Sequence, residues 1–343
     1  MFIGLEILSG THELVEKEVE KILGQREKEY LFPTLLLVKG RNISEDITLL
    51  SLFSRAAINL YLIPKYEKYN NPNDLYRISK DIPWPEIIKA EKSFAVVPKI
   101  LPERLNRRIV GQLVGQGIVD RFLADKNTRP PVNLRSPDIE VATFIDENKV
   151  VLGIKLFKDN MNRIEEAINR LVILSLQTEK IRTLGEIYHT GICESAFEYF
   201  NAEPQKGRLL KSTFIELRNI DEEKILDLVT KKWKKITTEI FCFDEEIRKN
   251  IPKYKDIHIS PLDRLPAAPI EVFLTNLTLA YPSKREQEKI ANKIYNLLTS
   301  NEAWVETNLI IRTDIQISTI FKAEKIIDIT LKGIPSQIIR ITR

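Results

Sequence analysis

The sequence predicts two small α+β units followed by an α/β domain built on an open, mostly parallel sheet. Three observations carry this. Short apolar strands and helices alternate from Thr183 onward, a pattern that gives a sheet with helices on both faces. The stretch before it holds two shorter groups of strands and helices, each too small to form such a sheet alone. The last two candidate strands are separated only by Lys332-Gly333-Ile334-Pro335. A link that short makes them an antiparallel hairpin, because a parallel crossover needs about a dozen residues.

Residues 2–8 read as a strand. A helix opens at Thr11-His12-Glu13, carries Leu14, Val15, Val19 and Ile22 at helical spacing, and stops at Gly24. Leu35 to Val38 is a strand, Ile47 to Ile58 a helix, and Asn59 to Ile63 a strand. The second unit runs from Asn73 to Phe157. Its order is a strand at Ser93-Phe94-Ala95-Val96-Val97, a helix rich in arginine, a strand opened by Pro137-Asp138, and a closing strand from Lys149. Residues 161–180 read as a linker helix. In the last domain the candidate strands are 184–188, 236–243, 256–260, 270–275, 305–311, 325–331 and 336–341, with helices at 192–202, 221–234 and 283–299.

Composition excludes several classes. The chain has 343 residues, 43% hydrophobic and 29% charged, which is the profile of a globular protein with more than one core. No apolar run is long enough for a membrane-spanning helix, and the N-terminus reads as a strand rather than a leader. Two cysteines (Cys193, Cys242) and three histidines (His12, His189, His258) form no metal-ligand spacing, so no metal is expected. Scarce thiols fit the cytoplasm. Abundant Ile, Lys and Glu with two Met fit a thermophile.

Charge is uneven. Between Lys92 and Arg135 nine basic residues stand against three acidic ones, a local +6 against +4 for the whole chain. That is the electrostatic footprint of a nucleic-acid binder. Arg104, Arg108, Gly111 and Gly115 fall on one helical stripe, where glycines beneath arginines would admit a phosphate backbone. Two plainer readings stand beside this: the arginines as a solvated face, and the glycines as packing of helix on sheet.

Several segments, in their order and spacing, resemble the THUMP-containing RNA methyltransferases, which include the tRNA and large-subunit rRNA guanine-N2 enzymes. They are Gly10-Thr11-His12-Glu13-Leu14-Val15, Phe53-Ser54-Arg55-Ala56-Ala57, Asp74-Leu75-Tyr76, Ile82-Pro83-Trp84, Pro137-Asp138-Ile139-Glu140-Val141, Trp304-Val305-Glu306-Thr307, and Gly333 to Ile339. The resemblance implies a ferredoxin-like domain at 1–70, a THUMP domain at 71–158, a linker helix at 159–182, and a Rossmann-like class I methyltransferase fold at 183–343. It implies that RNA, with the tRNA acceptor region first, is the ligand. Arg104, Arg107, Arg108, Arg121 and Arg135 would then meet phosphates, which position the ligand rather than specify it.

The chemical motifs depart from the family. Where it has Asp-Pro-x-Cys-Gly-Ser-Gly-Thr, this chain has Ile187-Tyr188-His189-Thr190-Gly191-Ile192-Cys193-Glu194, keeping Gly191, with Glu198 beyond it. Ile192 and Cys193 would crowd a cofactor that needs close backbone approach. Asp244 stands where a carboxylate would hold the ribose of S-adenosyl-L-methionine, though it also reads as a turn acid common to α/β proteins, and Asp263 resembles the acid that would read the adenine amine. The catalytic Asn-Pro-Pro-Tyr becomes Asn276-Leu277-Thr278-Leu279-Ala280-Tyr281, so only Asn276 aligns. The expectation is an RNA-binding protein with a degenerate methyltransferase domain, binding S-adenosyl-L-methionine weakly or not at all and open to a partner subunit. The alternative is an active methyltransferase with divergent motifs.

Overall fold

The computed structural model describes residues 1–100, 102–156, 163–177, 183–187, 196, 211–216, 237–242, 257–261, 272–280, 283–300, 304–316, 322–331 and 333–342. The chain divides into two compact units, one of Met1–His12 with Glu16–Arg163, the other of Glu13–Val15 with Ile164–Arg343.

The first unit begins with β1 (Phe2–Glu6), α1 (His12–Leu23), β2 (Lys28–Phe32), β3 (Leu35–Lys39), α2 (Ile43–Phe53) and β4 (Asn59–Lys68). Its antiparallel strands lie in the order β2-β3-β1-β4, the ferredoxin-like arrangement. Helix α1 stops where expected. Gly24 takes φ +70° and its N–H donates to the Glu20 carbonyl at 2.8 Å. Helix α2 ends at Phe53, five residues before the expected Ile58, and the cause is a buried acid. The Glu18 carboxylate accepts from the Ser54 hydroxyl at 2.8 Å, from Arg55 N–H at 3.2 Å and from Ala56 N–H at 3.0 Å. Those amides serve a side chain instead of a further helical turn. The strand β2 was not expected. It is a charged edge strand, with Lys28 Nζ 2.5 Å from Glu20 and 3.2 Å from Glu16.

Strand β4 continues the sheet. It pairs with β1 on one edge and with β7 on the other. The added elements are α3 (Asn73–Lys80), α4 (Trp84–Ile87), β5 (Phe94–Ile100), α5 (Arg107–Lys126), β6 (Ile139–Ile145) and β7 (Lys149–Lys155). One seven-stranded sheet results, in the order β2-β3-β1-β4-β7-β6-β5. It is curled. Phe32 on β2 and Phe144 on β6 stand 6.1 Å apart between ring centroids, although four strands lie between them in the sheet. Helices α3, α4 and α5 cover the opposite face over Ile78, Trp84, Phe94, Val114, Phe122 and Val141. At Gly117 helix α5 closes on α3. The Ser79 hydroxyl donates to the Val114 carbonyl at 2.8 Å, and an added Cβ would sit 2.7 Å from the Tyr76 carbonyl oxygen.

The second unit holds α6 (Arg163–Leu174), β8 (Thr183–Ile187), β9 (Lys211–Glu216), β10 (Thr237–Cys242), β11 (Ile257–Pro261), β12 (Val272–Asn276), α7 (Leu277–Ala280), α8 (Lys284–Ser300), β13 (Glu306–Arg312), β14 (Lys322–Leu331) and β15 (Ile334–Thr342). The sheet order is β11-β10-β9-β8-β12-β13-β15-β14. All neighbours are parallel except those of β15, which runs antiparallel to both β13 and β14. The expected hairpin turns at Gly333, with φ +80°. This is a Rossmann-like class I methyltransferase sheet with eight strands rather than the expected seven. The additional one is β9, inserted between β8 and β10. Helix α6 ends at Leu174, short of the expected 180. Buried Glu306 accepts from the N–H of Gln177 at 3.1 Å and pairs with Arg340 Nε at 3.1 Å, which anchors the chain after the helix. The helices expected at 192–202 and 221–234 lie outside the described residues, apart from Ala196.

Candidate nucleic-acid interface

Helix α5 starts at an asparagine cap. Asn106 Oδ1 accepts the Arg108 N–H at 2.8 Å. Two arginines then occupy the first turn, and no acid does. Cations there oppose the helix dipole, which gives up a few tenths to about 1 kcal/mol of helix stability. The same arrangement makes the end strongly attractive to anions. Arg107 Nη1 donates to the Pro98 carbonyl at 2.8 Å and so lies back along β5. The Arg108 guanidinium is exposed, with no protein partner among the described residues.

A groove of about 900 Å³ runs beside this helix. Arg107, Arg108, Gly111, Gln112, Gly115 and Gln116 form one wall; Phe94, Val96 and Val119 belong to its apolar lining; Arg129, Val132 and Leu134 form the far wall. The two glycines leave room there. A Cβ at Gly111 would come no closer than 4.0 Å to the Val96 carbonyl oxygen, and one at Gly115 no closer than 3.9 Å to Val96 Cγ2. Both are ordinary contacts, so packing on the sheet does not require these glycines. The glycine that packing does require is Gly117.

The far wall is built by polar ties. Phe94 N–H donates to the Pro131 carbonyl at 3.0 Å, and Asn133 N–H to the Phe94 carbonyl at 3.1 Å. Asn133 Oδ1 accepts from Arg135 N–H and Ser136 N–H, each at 3.1 Å, while its Nδ2 donates to the Ser136 carbonyl at 2.8 Å. Asp138 closes the segment onto β5, accepting from Ser93 N–H at 2.9 Å and from the Ser93 hydroxyl at 2.8 Å. These bonds from Ser93, its backbone N–H first, hold the Asp138 carboxyl below the usual aspartate range, with Lys92 adding to the effect. On this rigid segment Leu134 stays 79% exposed.

The structure brings Arg107 and Arg108 together with Gly111, Gly115 and Arg129. It does not bring Arg104, Arg121 or Arg135 into the groove wall. Arg104 precedes the helix cap, so the stripe of Arg104 with Arg108 does not form; its guanidinium meets Glu147 and Tyr69. Arg121 pairs with Asp125 at 2.6 Å, and Arg135 is exposed at the end of the tied segment. Arg129 is one of the nine basic residues between Lys92 and Arg135, and helical spacing does not mark it. Its signal was the Pro130-Pro131 that follows, which fixes the wall it stands on.

In the second unit Asn276 ends β12 and is fully buried. The chain turns at once into α7. Leu277 and Thr278 are buried, and the buried Ser336 hydroxyl donates to Thr278 Oγ1 at 3.2 Å. Gly191, Asp244 and Asp263 lie outside the described residues, as do His189, Cys193 and Trp233. Asp244 follows β10, which β9 separates from β8; the strand beside β8 ends in Glu216. Among the described residues no three His, Cys, Asp or Glu are grouped to hold a metal, and no helix is long and apolar enough to cross a membrane.

Residues 69–155 match the THUMP domain family. The chain therefore carries a THUMP domain in its first unit and a methyltransferase-type sheet in its second. It is also homologous to THUMP-containing RNA methyltransferases. It is 29% identical over 182 residues, 48% of this chain and 25% of the relative, to the ribosomal RNA large subunit methyltransferase K/L of Buchnera aphidicola subsp. Schizaphis graminum. It is 32% identical over 83 residues, 24% of this chain and 22% of the relative, to the tRNA (guanine(6)-N2)-methyltransferase of Methanocaldococcus jannaschii. The matched segments thus span a quarter or less of those relatives. In fold it is similar to TrmN from Thermus thermophilus, with TM-score 0.68 and 14% identity over 100% of this chain and 99% of that one. It is likewise similar to SMU.472 complexed with SAH, with TM-score 0.66 and 13% identity over 99% and 97%.

Proposed function

We propose that this chain binds RNA, tRNA first, across the groove beside α5, and that its methyltransferase-type domain transfers no methyl group unaided. The observation that carries the binding claim is that Arg108 and Arg129 line one groove. Neither has a protein partner among the described residues; the Arg108 N–H is held by the Asn106 cap, and the segment that follows Arg129 is tied to β5 through Phe94. Arg107 adds charge at the same helix end. Contacts of this kind go to phosphate, so they set register and orientation on the RNA rather than sequence.

The silence of the second domain is supported by α7. Amine methylation needs carbonyl acceptors aimed at the exocyclic nitrogen, so that charge developing there meets preorganised groups. Here the residues after Asn276 form a helical turn with Leu277 and Thr278 turned into the core. The described residues of this loop therefore do not fit an amine-binding device. For S-adenosyl-L-methionine itself, Glu216 is the residue at the end of the strand beside β8, the position from which an acid holds a ribose in nucleotide-binding sheets. A partner subunit would then supply the chemistry. One observation favours the second reading, an active enzyme: Asn276 is kept at the end of β12, on the carboxyl edge of the parallel strands.

Filter retention of tRNA over a range of salt tests the binding claim. Neutralised phosphates release counterions, so affinity should fall steeply with salt. The triple variant Arg107→Ala, Arg108→Ala, Arg129→Ala should bind more weakly and with a flatter dependence. A triple variant that binds like wild type at every salt concentration removes this groove from the interface.

A further inference from the structure

The sequence suggests Arg104 as one more phosphate contact, but the structure gives its guanidinium other work. We propose that Arg104 is a positioning residue, which holds the connection between β5 and α5 in place and touches no phosphate. The inference rests on the RNA-binding reading above and goes beyond it by assigning this arginine a role outside the ligand.

Three segments meet at Arg104. Its Nη2 donates to the Glu147 carbonyl at 2.5 Å, lies 3.0 Å from the Glu147 carboxylate, and lies 3.4 Å from the Tyr69 hydroxyl. That hydroxyl donates in turn to the Asp146 carbonyl at 2.7 Å, and Tyr69 N–H donates to the Asn148 carbonyl at 3.0 Å. The turn they grip is itself closed: Asp146 Oδ1 accepts from Asn148 N–H at 2.9 Å and from Lys149 N–H at 2.7 Å. Tyr69, just past β4, is buried. A fixed turn and a buried tyrosine therefore fasten the loop two residues before Asn106, the cap that sets the start of α5 and the aim of Arg107 and Arg108.

Two considerations separate this from phosphate binding. Arg104 is absent from the groove wall that holds Arg107, Arg108 and Arg129. A carbonyl bond to a charged donor is among the stronger kinds, and the Glu147 carboxylate 3.0 Å away offsets the charge that a phosphate would meet. Arg104 thus acts on the RNA through the position of its neighbours.

The test is filter retention of tRNA by the full chain across salt, with Arg104→Ala, Tyr69→Phe and Arg108→Ala. A phosphate contact contributes to the slope of log affinity against log salt, at about 0.9 per phosphate on duplex and about 0.7 on single strands. Arg108→Ala should flatten the slope by roughly that amount. Arg104→Ala and Tyr69→Phe should lower affinity by about two- to tenfold, the range of a lost hydrogen bond, with the slope unchanged. Tyr69→Phe removes no charge, so it reports on position alone, and it serves if Arg104→Ala does not fold. The proposal is overturned if Arg104→Ala flattens the slope as Arg108→Ala does, or if Tyr69→Phe binds like wild type. A wild-type chain that retains no RNA removes the reading beneath it and the proposal together.

Discussion

Gly115 and Gly117 lie two residues apart on one helix and should respond to alanine with opposite signs. At Gly117 the new Cβ would fall 2.7 Å from the Tyr76 carbonyl oxygen, 2.7 Å from Ser79 Cβ and 2.9 Å from the Lys80 nitrogen. Two of these atoms are backbone, so α3 and α5 must separate. Overpacking of this kind costs about 1–3 kcal/mol, and the gain of about 1 kcal/mol from replacing a helical glycine offsets part of it. The net loss should be about 1 kcal/mol, the middle of a range of about 0–2 kcal/mol. At Gly115 the nearest atom is Val96 Cγ2 at 3.9 Å, so the helical gain of up to about 1 kcal/mol stands unopposed. The two variants should therefore differ by about 2 kcal/mol, or about 1 M in the urea midpoint at a slope of about 2 kcal/mol/M. Urea unfolding followed by tryptophan fluorescence measures this, with Trp84 the fully buried reporter in the first unit. Gly115→Ala should also bind RNA more weakly, because Gly115 lines the groove. Equal midpoints for the two variants, or Gly115→Ala the less stable, would refute the packing argument.

Further outcomes are expected. Replacing Arg129 alone should flatten the salt dependence of tRNA binding as Arg108→Ala does, and should weaken unrelated tRNAs about equally, as titrations with several tRNAs will test. Glu18→Ala should destabilise the first unit by about 2–4 kcal/mol, because the Ser54–Ala56 donors lose a buried acceptor; thermal unfolding by circular dichroism checks this. Asp138 has a folded-state pKa below its unfolded one, so its contribution is present above the unfolded value of about 3.9 and is lost as pH falls through the lower folded value. Asp138→Asn should therefore unfold with less pH dependence than wild type below about pH 4, in acid titrations followed by fluorescence. Calorimetry with S-adenosyl-L-methionine should give no dissociation constant tighter than roughly 100 μM, equivalent to about 5 kcal/mol.

Local chemistry was legible where it decided the structure. Gly24 ended α1, and the four-residue link around Gly333 made the final hairpin, because both rest on backbone rules carried by single residues. The run of parallel strands followed from alternation. What escaped was set by distant partners. The end of α2 depends on Glu18, which lies 36 residues before Ser54. Strands β2 and β9 read Lys-Glu-Tyr-Leu-Phe and Lys-Ser-Thr-Phe-Ile-Glu, with little apolar alternation; pairing to β3, and to β8 and β10, makes them strands. The candidate interface was legible as charge but not as geometry. Composition marked the stretch from Lys92 to Arg135, while helical spacing grouped Arg104 with Arg108. Only the cap at Asn106 places Arg104 outside the helix, and only the tie of the segment after Arg129 to Phe94 brings Arg129 into the groove that Arg108 lines.

The most direct test places both halves of the account in one tube. The purified chain is incubated with bulk tRNA and S-adenosyl-L-methionine labelled in the methyl group, and RNA retention and label in RNA are read together. The account predicts salt-sensitive retention and no label above the protein-free control. Label transferred by the chain alone, and abolished by Asn276→Ala, would contradict it and make the turn after β12 a working catalytic loop.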